Sequence, residues 1–304
     1  MAHPSPKFLI SIVGPTAIGK TALSIKLAQH FNTEIISADS RQFFKEMNIG
    51  TAVPSTEELQ AAPHHFIQNK SIQTTYNVGD FEREAILKLQ ELHQKQDVVV
   101  MVGGSGLYVK AVKDGLDYFP EVDAQIRTDL NAKFEKDGLE VLHEQLKTLD
   151  PKAYRTIAID NPKRVIRALE ICIGTGQPYT SFLTDPEKER PFKTISIGLN
   201  AERSIIYDRI NQRVDLMVEN GLLDEVKGLL PYKDLNALNT VGYKELFQYF
   251  EDHHSLDFAL SEIKKNTRRF AKRQLTWFRK DPSIEWFDYK TDISQIISYI
   301  EAQL

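Results

Sequence analysis

The chain has 304 residues, about twice the length of an average domain, so one large domain or two smaller ones are expected. Its 41% hydrophobic and 26% charged residues are typical of a globular protein and exclude a disordered or collagen-like chain. Because the net charge is −4, any nucleic-acid site must come from a local concentration of basic residues. The single cysteine excludes an internal disulfide and a cysteine-based zinc cluster, and no apolar run approaches the roughly 18 residues of a transmembrane helix. We therefore expect a cytoplasmic enzyme with no membrane association.

The first third of the chain alternates strand and helix patterns. Residues 8–13 form an apolar run that predicts a buried strand, and 21–31 have the spacing of an amphipathic helix. Further strands are predicted at 34–39 and 97–102, with a helix at 81–94 between them. Strands that alternate with helices indicate an α/β fold with a parallel sheet.

The middle of the chain changes character. From about residue 123 to 175 only helical patterns recur, and the strand pattern returns at 194–199. The simplest arrangement is a helical module inserted into an α/β core. We therefore predict a first core segment at 1–118, a helical insertion at 119–190 and a second core segment at 191–304. After residue 200 the pattern is helical nearly to the end.

A phosphate-binding loop follows the first predicted strand. Residues 14–21 match the pattern G-x-x-x-x-G-K-[ST], with an apolar strand before it and an amphipathic helix after it. Glycines allow successive backbone N–H groups to surround a phosphate, and the helix N-terminus adds its dipole. Lys20 supplies a positive charge and Thr21 a hydroxyl for Mg²⁺. The pattern predicts a core of the P-loop NTPase type that binds a di- or triphosphate.

An acidic residue follows the second predicted strand instead of the third. The third strand runs into Gly103 and Gly104, whereas Asp39 ends the second strand. An ordinary NTPase holds its metal with an acid at the tip of a hydrophobic strand, so this pattern weakens an ATPase assignment. Because the tips of parallel strands line one crevice, Asp39 is expected to face the phosphates; a helix cap or a solvated turn residue is the alternative.

The C-terminal part carries a concentrated positive charge. Residues 264–280 contain eight lysines and arginines and no acid, which is unusual in an acidic protein. On a helix these cations form one broad face, and Phe270, Gln274, Trp277 and Phe278 form a stripe that can pack on the core. The pattern favours a nucleic-acid surface over a merely solvated helix face.

Arg209 and Arg213 lie four residues apart, on one face of another predicted helix. One of them can reach a diphosphate; ion pairs with Asp208, Asp215 or Glu219 are the alternative. His64, His65, His253 and His254 have no company typical of metal ligands and are interpreted as surface or packing residues.

Three functions from different classes fit these features. One is a kinase for a small molecule or nucleotide, and another is a nucleotide-gated RNA-binding protein without chemistry. The third is a transferase with a diphosphate leaving group and an RNA base as acceptor. The absence of an acid at the third strand disfavours the kinase, and a pure binding protein leaves Asp39 without a role.

Several motifs together resemble the bacterial-type tRNA dimethylallyltransferases, also called isopentenyl-diphosphate:tRNA isopentenyltransferases, over nearly the whole chain. The matching segments are GPTAIGKT (14–21), DSRQ (39–42), HH (64–65), GGSGLY (103–108), DP (150–151), NPKRVIRALE (161–170), TVGYKE (240–245) and RFAKRQLTWFR (269–279). The resemblance implies transfer of a dimethylallyl group from dimethylallyl diphosphate to N6 of adenine 37 in tRNA. It also implies that the helical insertion clamps the anticodon stem-loop, with no obligate protein partner.

The resemblance and the chemistry together suggest roles for particular residues. Asp39 is the carboxylate that accepts a proton from the adenine amine, which is a poor nucleophile. Arg213 is favoured over Arg209 as a diphosphate contact, and Thr21 as the ligand of Mg²⁺. The expected diphosphate site comprises Gly14, Pro15, Thr16, Ala17, Ile18, Gly19, Lys20 and Thr21. The expected tRNA contacts are Asp39, Ser40, Arg41, Gln42, Ser105, Arg127, Lys163, Arg164, Val165, Ile166 and Arg167, with Arg269, Lys272 and Arg273 on the basic helix.

Overall fold

The computed structural model describes residues 5–183 and 189–304, which form two compact units. One unit comprises residues 5–114 together with 189–304, and the other comprises 115–183. The chain thus enters the second unit after Asp114 instead of after residue 118. Of the predicted segments, residues 1–4 and 184–188 lie outside the described residues.

The first segment of the larger unit alternates strands and helices. Its strands are β1 (Phe8–Val13), β2 (Ile35–Ser37), β3 (His64–His65) and β4 (Val98–Val102). Its helices are α1 (Lys20–His30), α2 (Thr56–Ala61), α3 (Val78–His93) and α4 (Gly106–Asp114). Every residue of β1 and β4 is buried, which explains why both read as continuous apolar runs.

The smaller unit is helical throughout its described part. Its helices are α5 (Ala124–Asp137), α6 (Leu139–Leu149), α7 (Pro151–Thr156) and α8 (Pro162–Thr175), followed by a 3₁₀ turn at Tyr179–Phe182. Fully buried Leu142, Leu146 and Leu169 form its core. Proline occupies the first turn of both α7 and α8, where its missing N–H costs nothing.

The second segment of the larger unit adds two strands and five helices. The strands are β5 (Lys193–Asn200) and β6 (Ile284–Asp288). The helices are α9 (Arg203–Glu219), α10 (Leu222–Leu229), α11 (Tyr243–Phe250), α12 (Leu256–Phe278) and α13 (Ile293–Glu301). None of the helices within residues 5–183 and 189–304 is long and apolar enough to cross a bilayer.

All six strands are parallel, in the order β3-β2-β4-β1-β5-β6, which confirms the predicted α/β sheet. The central strand β1 pairs with β4 on one side and β5 on the other. The loops after β1, β2 and β4 therefore leave the same edge of the sheet, where α/β proteins bind ligands. The edge strands β3 and β6 were not predicted, because β3 is only two residues long and β6 is half-exposed.

Asp150 is a buried carboxylate that organises the helical unit. Its Oδ1 accepts hydrogen bonds from the N–H groups of Lys152 and Ala153 at the start of α7, and its Oδ2 accepts one from the N–H of Thr180. Only 2% of the residue is exposed, so water cannot replace these bonds. Asp150 thereby ties the segment after α8 to α7.

We expect Asp150→Ala to lower the free energy of unfolding by about 2–3 kcal/mol, because it removes a helix cap and leaves buried donors unpaired. Urea titration followed by circular dichroism measures this change. Asp123→Ala is the matched control, since Asp123 caps α5 at an exposed position and should cost only about 1 kcal/mol. Equal losses in the two variants would contradict the organising role of Asp150.

Candidate active site

The phosphate loop connects β1 to α1 through a conformation that only small residues adopt. Gly14 has φ 144° and Gly19 has φ 108°. A Cβ atom on Gly14 would lie 2.6 Å from the carbonyl oxygen of Leu199 in β5, so the backbones approach too closely for any side chain. Residues 16–21 line a cavity of about 570 Å³ at the N-terminus of α1. The loop thus has the geometry expected for a phosphate site.

Lys20 is a partly buried cation within this loop. Its Nζ donates hydrogen bonds to the carbonyl oxygens of Gly14, at 3.0 Å, and Pro15, at 2.8 Å. Burial lowers the pKa of Lys20 to about 8; Asp39 opposes this change and Arg213 adds to it. Because burial disfavours the charged form of Lys20, an anionic ligand beside it would bind favourably and would raise this pKa again.

Side chains from α9 and α12 hold the tip of the phosphate loop. Arg213 donates from Nη1 to Oγ1 of Thr16 at 3.3 Å, and Arg209 donates from Nε to the carbonyl oxygen of Ala17 at 2.7 Å. In α12, Gln274 accepts a hydrogen bond from the N–H of Thr16 at 2.9 Å. Within the described residues neither arginine forms an ion pair with the acids of α9, so the alternative left open by the sequence is wrong.

Asp39 lies where two cavities meet. The second cavity, of about 500 Å³, is lined by Asp39 together with Ser105, Phe270 and Arg273. The residues that line both cavities are Thr16, Asp39, Thr51 and Arg213. Both arginines of α9 line the first cavity, and only Arg213 also lines the second, so which of them contacts a diphosphate stays a prediction.

Asp39 follows β2 in a turn and caps no helix. Its Oδ1 accepts a hydrogen bond from the N–H of Arg41 at 3.0 Å. No group of the described residues donates to its Oδ2. One oxygen therefore fixes the side chain, and the other is available to a ligand.

The neighbouring residues of the 39–42 segment support the site. The N–H of Ser40 donates to Oγ of Ser105 at 3.0 Å, which joins the loops after β2 and β4. Arg41 donates to the carbonyl oxygens of Asn236 and Ala237, and Gln42 donates to those of Thr51 and Ala52. These side chains hold the cavity walls in place, a role that the sequence did not predict.

The basic face of α12 is exposed and includes two aromatic residues. Arg269, Lys272 and Arg273 are all exposed. Of the stripe predicted to pack on the core, Gln274 and Phe278 are buried, whereas Phe270 and Trp277 remain 38% and 40% exposed. The reason is their angle on the helix, which places them between the buried side and the cations. Exposed aromatic rings beside cations are typical of surfaces on which nucleobases stack.

The helical unit presents a separate group of cations. Arg127 and Arg167 both donate to the carboxylate of Glu170, at 2.6 Å and 2.9 Å for the shared Oε2. Burial opposes the charge of Glu170, but the two arginines outweigh this effect and keep its pKa below the usual value. Both guanidinium groups remain partly exposed, so they are fixed in place yet accessible.

Two predicted tRNA contacts of the helical unit require correction. Val165 and Ile166 are 0% and 4% exposed and pack in the core of this unit. They lie on the inner face of α8, whereas Lys163 and Arg164 lie exposed in its first turn. The side chains of Lys163 and Arg164 can therefore contact RNA, whereas those of Val165 and Ile166 cannot.

A magnesium site would depend on the bound ligand. Thr21 lines the first cavity, as predicted. Within the described residues no group of three or more His, Cys, Asp or Glu side chains has the arrangement of a metal site. Mg²⁺ commonly binds with few protein ligands and with phosphate oxygens, which fits this donor set. The role of Thr21 as its ligand stays a prediction.

Comparison with known proteins gives consistent matches. A family model described as IPP transferase matches residues 42–281. The tRNA dimethylallyltransferase of Christiangramia forsetii is 63% identical over 98% of both chains, and that of Flavobacterium johnsoniae is 59% identical with the same coverage. A crystal structure of the full-length tRNA isopentenylpyrophosphate transferase from Bacillus halodurans has a TM-score of 0.72 at 40% identity, covering 97% of this chain and 96% of that one. A eukaryotic dimethylallyltransferase, studied while acting on tRNA, has a TM-score of 0.81 at 27% identity and covers 98% of this chain and 77% of its own.

The lowered pKa of Lys20 predicts pH-dependent binding of inorganic diphosphate. The anion raises this pKa, so the complex keeps a proton that the free protein loses above about pH 8. Affinity should therefore be constant below that pH and fall by up to about tenfold per pH unit above it. Isothermal titration calorimetry across this range measures the change.

Lys20→Arg is the control, because arginine stays charged at these pH values. Any change of affinity with pH that remains in this variant comes from protonation of diphosphate itself and can be subtracted from the wild-type profile. An identical pH profile in the two proteins would show that Lys20 does not titrate in this range.

Proposed function

We propose that this chain, which belongs to the IPP transferase family, transfers a dimethylallyl group from dimethylallyl diphosphate to N6 of adenine 37 in tRNA. The products are N6-(dimethylallyl)adenosine in tRNA and diphosphate. The observation that carries the proposal is the meeting of two cavities at Asp39, one built around a phosphate loop and the other lined by aromatic and basic residues. Relatives named tRNA dimethylallyltransferase support it. A cytoplasmic location belongs to the same proposal, since tRNA is the acceptor.

The first cavity suits the diphosphate of the donor. Lys20 and Arg213 are both partly buried cations, and desolvation lowers the pKa of each, so an anionic partner stabilises their charged forms. When the allylic C–O bond breaks, negative charge grows on the departing diphosphate, and fixed donors stabilise that charge. Mg²⁺, when bound, would neutralise part of the same charge, with the hydroxyl of Thr21 and diphosphate oxygens as its ligands.

The second cavity suits the acceptor base. A new bond forms between N6 of adenine and the allylic carbon while the C–O bond breaks, and N6 must lose one proton. Asp39 lines both cavities, and its Oδ2 is available to accept that proton. Phe270 and Arg273 line the same cavity, where an aromatic ring and a cation can hold a base that has left its stack.

The exposed cations of each unit suit the RNA backbone. Arg269 and Lys272 lie on α12 near the second cavity, and Arg127 and Arg167 are fixed by Glu170 on the helical unit. Such cations bind phosphates independently of sequence, whereas the unstacked loop supplies the base to be modified. An anticodon stem-loop offers both features.

The direct test is a reaction of the purified protein with Mg²⁺, labelled dimethylallyl diphosphate and unmodified tRNA with adenine at position 37. Nuclease digestion and mass spectrometry should show a dimethylallyl unit on adenosine. A parallel reaction with ATP in place of the prenyl donor should give no product. Phosphate release from ATP without modified adenosine would overturn the proposal in favour of an ATPase or kinase.

We expect Asp39→Asn to lower kcat by about 10²- to 10⁴-fold, because the amide cannot accept the proton from N6. The amide oxygen can still accept the hydrogen bond from the N–H of Arg41, so the turn should be preserved. Single-turnover kinetics measure the chemical step, and a filter-binding assay should give an RNA affinity within a few-fold of the wild type. Weak RNA binding together with a normal single-turnover rate would contradict the role of Asp39 as the base.

A further inference from the structure

Gln274 of α12 joins two loops that are distant in sequence. Its Oε1 accepts a hydrogen bond from the N–H of Thr16 in the phosphate loop, and its Nε2 donates one to the carbonyl oxygen of Gly104, both at 2.9 Å. An N–H can only donate and a carbonyl can only accept, so these partners determine the orientation of the amide. Because the residue is only 6% exposed, water cannot take the place of either partner.

Gln274 packs closely against the loop after β4. A Cβ atom on Gly104 would lie 2.2 Å from Nε2 of Gln274, so the close approach of α12 depends on a glycine at this position. Thr16 is also held from α9, through the hydrogen bond from Arg213 to its hydroxyl. Two helices thus fix the residue at the tip of the phosphate loop.

The same helix carries the exposed cations and lines the acceptor cavity. Arg273 and Phe270, within one turn of Gln274, line the second cavity. In contrast, the first cavity is lined by no residue of α12. Gln274 is therefore a direct hydrogen-bonded connection from the basic helix to the donor site.

We propose that Gln274 is a positioning residue that couples the two substrates, so that RNA on α12 strengthens diphosphate binding in the phosphate loop and the reverse. When the cations of α12 bind RNA, the helix is held in one position. The hydrogen bonds of Gln274 then hold Thr16 and Gly104 in place as well. A loop that is already ordered loses less entropy when it binds an anion. This inference rests on the proposed function for the identity of the two ligands.

The test measures the dissociation constant of inorganic diphosphate, with Mg²⁺, in the absence and presence of an unmodified anticodon stem-loop RNA. Diphosphate is not consumed, so binding is separated from chemistry. In the wild-type protein RNA should lower the dissociation constant by at least about fivefold. Gln274→Met keeps the side-chain volume and removes both hydrogen bonds. In this variant the ratio of the dissociation constants without and with RNA should fall to about one. By reciprocity, the effect of diphosphate on RNA affinity should change equally.

Two controls distinguish coupling from general damage. Gln90→Met, at an exposed position of α3, should behave as the wild type. Lys272→Met should weaken RNA binding yet leave the dissociation constant of diphosphate without RNA unchanged, because Lys272 is exposed and does not line the first cavity. A wild-type ratio in Gln274→Met, a ratio of one in the wild-type protein, or a uniform loss of both affinities in step with a lower Tm would overturn the proposal.

A measurement on the wild-type protein covers the case in which Gln274→Met does not fold. Inorganic diphosphate alone should slow amide hydrogen exchange in residues 264–278, which do not line its cavity. Unchanged exchange there would refute the coupling. Failure of the proposed function has a different signature, since it shows as the absence of modified adenosine whatever the binding ratios are.

Discussion

Lys20 and Arg213 are two cations that the fold holds partly buried beside the phosphate loop. Burial lowers the pKa of each; Asp39 opposes this effect for both, and Glu58 also opposes it for Arg213. The first cavity is lined by three cations, Lys20, Arg209 and Arg213, and by two carboxylates, Asp39 and Glu58, so its net charge is positive and it is suited to an anionic ligand. The parallel sheet, the glycines of the loop and the supporting helices all serve to hold these charges in place.

The same arrangement explains how one carboxylate can act next to an anionic donor. Asp39 lies close enough to Lys20 and Arg213 to interact with both, yet its oxygen Oδ2 has no donor among the described residues. The cations reduce the repulsion between this carboxylate and a diphosphate. A proton acceptor and a departing anion can therefore occupy adjoining cavities.

Much of the site could be predicted because its parts are local in sequence. The phosphate loop is one motif between a strand and a helix, and Asp39 follows from the rule that parallel strands end at one edge. The contribution of Gln274 could not be derived in this way, since it depends on how α12 packs against a loop 258 residues away, and Arg213 was favoured only through the family resemblance. Val165 and Ile166 show a different kind of error. The resemblance implied RNA contact for every residue from 163 to 167, although these two side chains pack in the hydrophobic core of the helical unit.

The central position of β1 has a consequence for the order in which the molecule matures on the ribosome. Its two neighbours, β4 and β5, are separated by the whole helical unit, and Gly14 packs against Leu199 of the later strand. The helical unit has a core of its own and can fold while the sheet is still open. The hydrogen bond from Thr16 to Gln274 spans 258 residues, so the phosphate loop acquires this support long after the loop itself has been made.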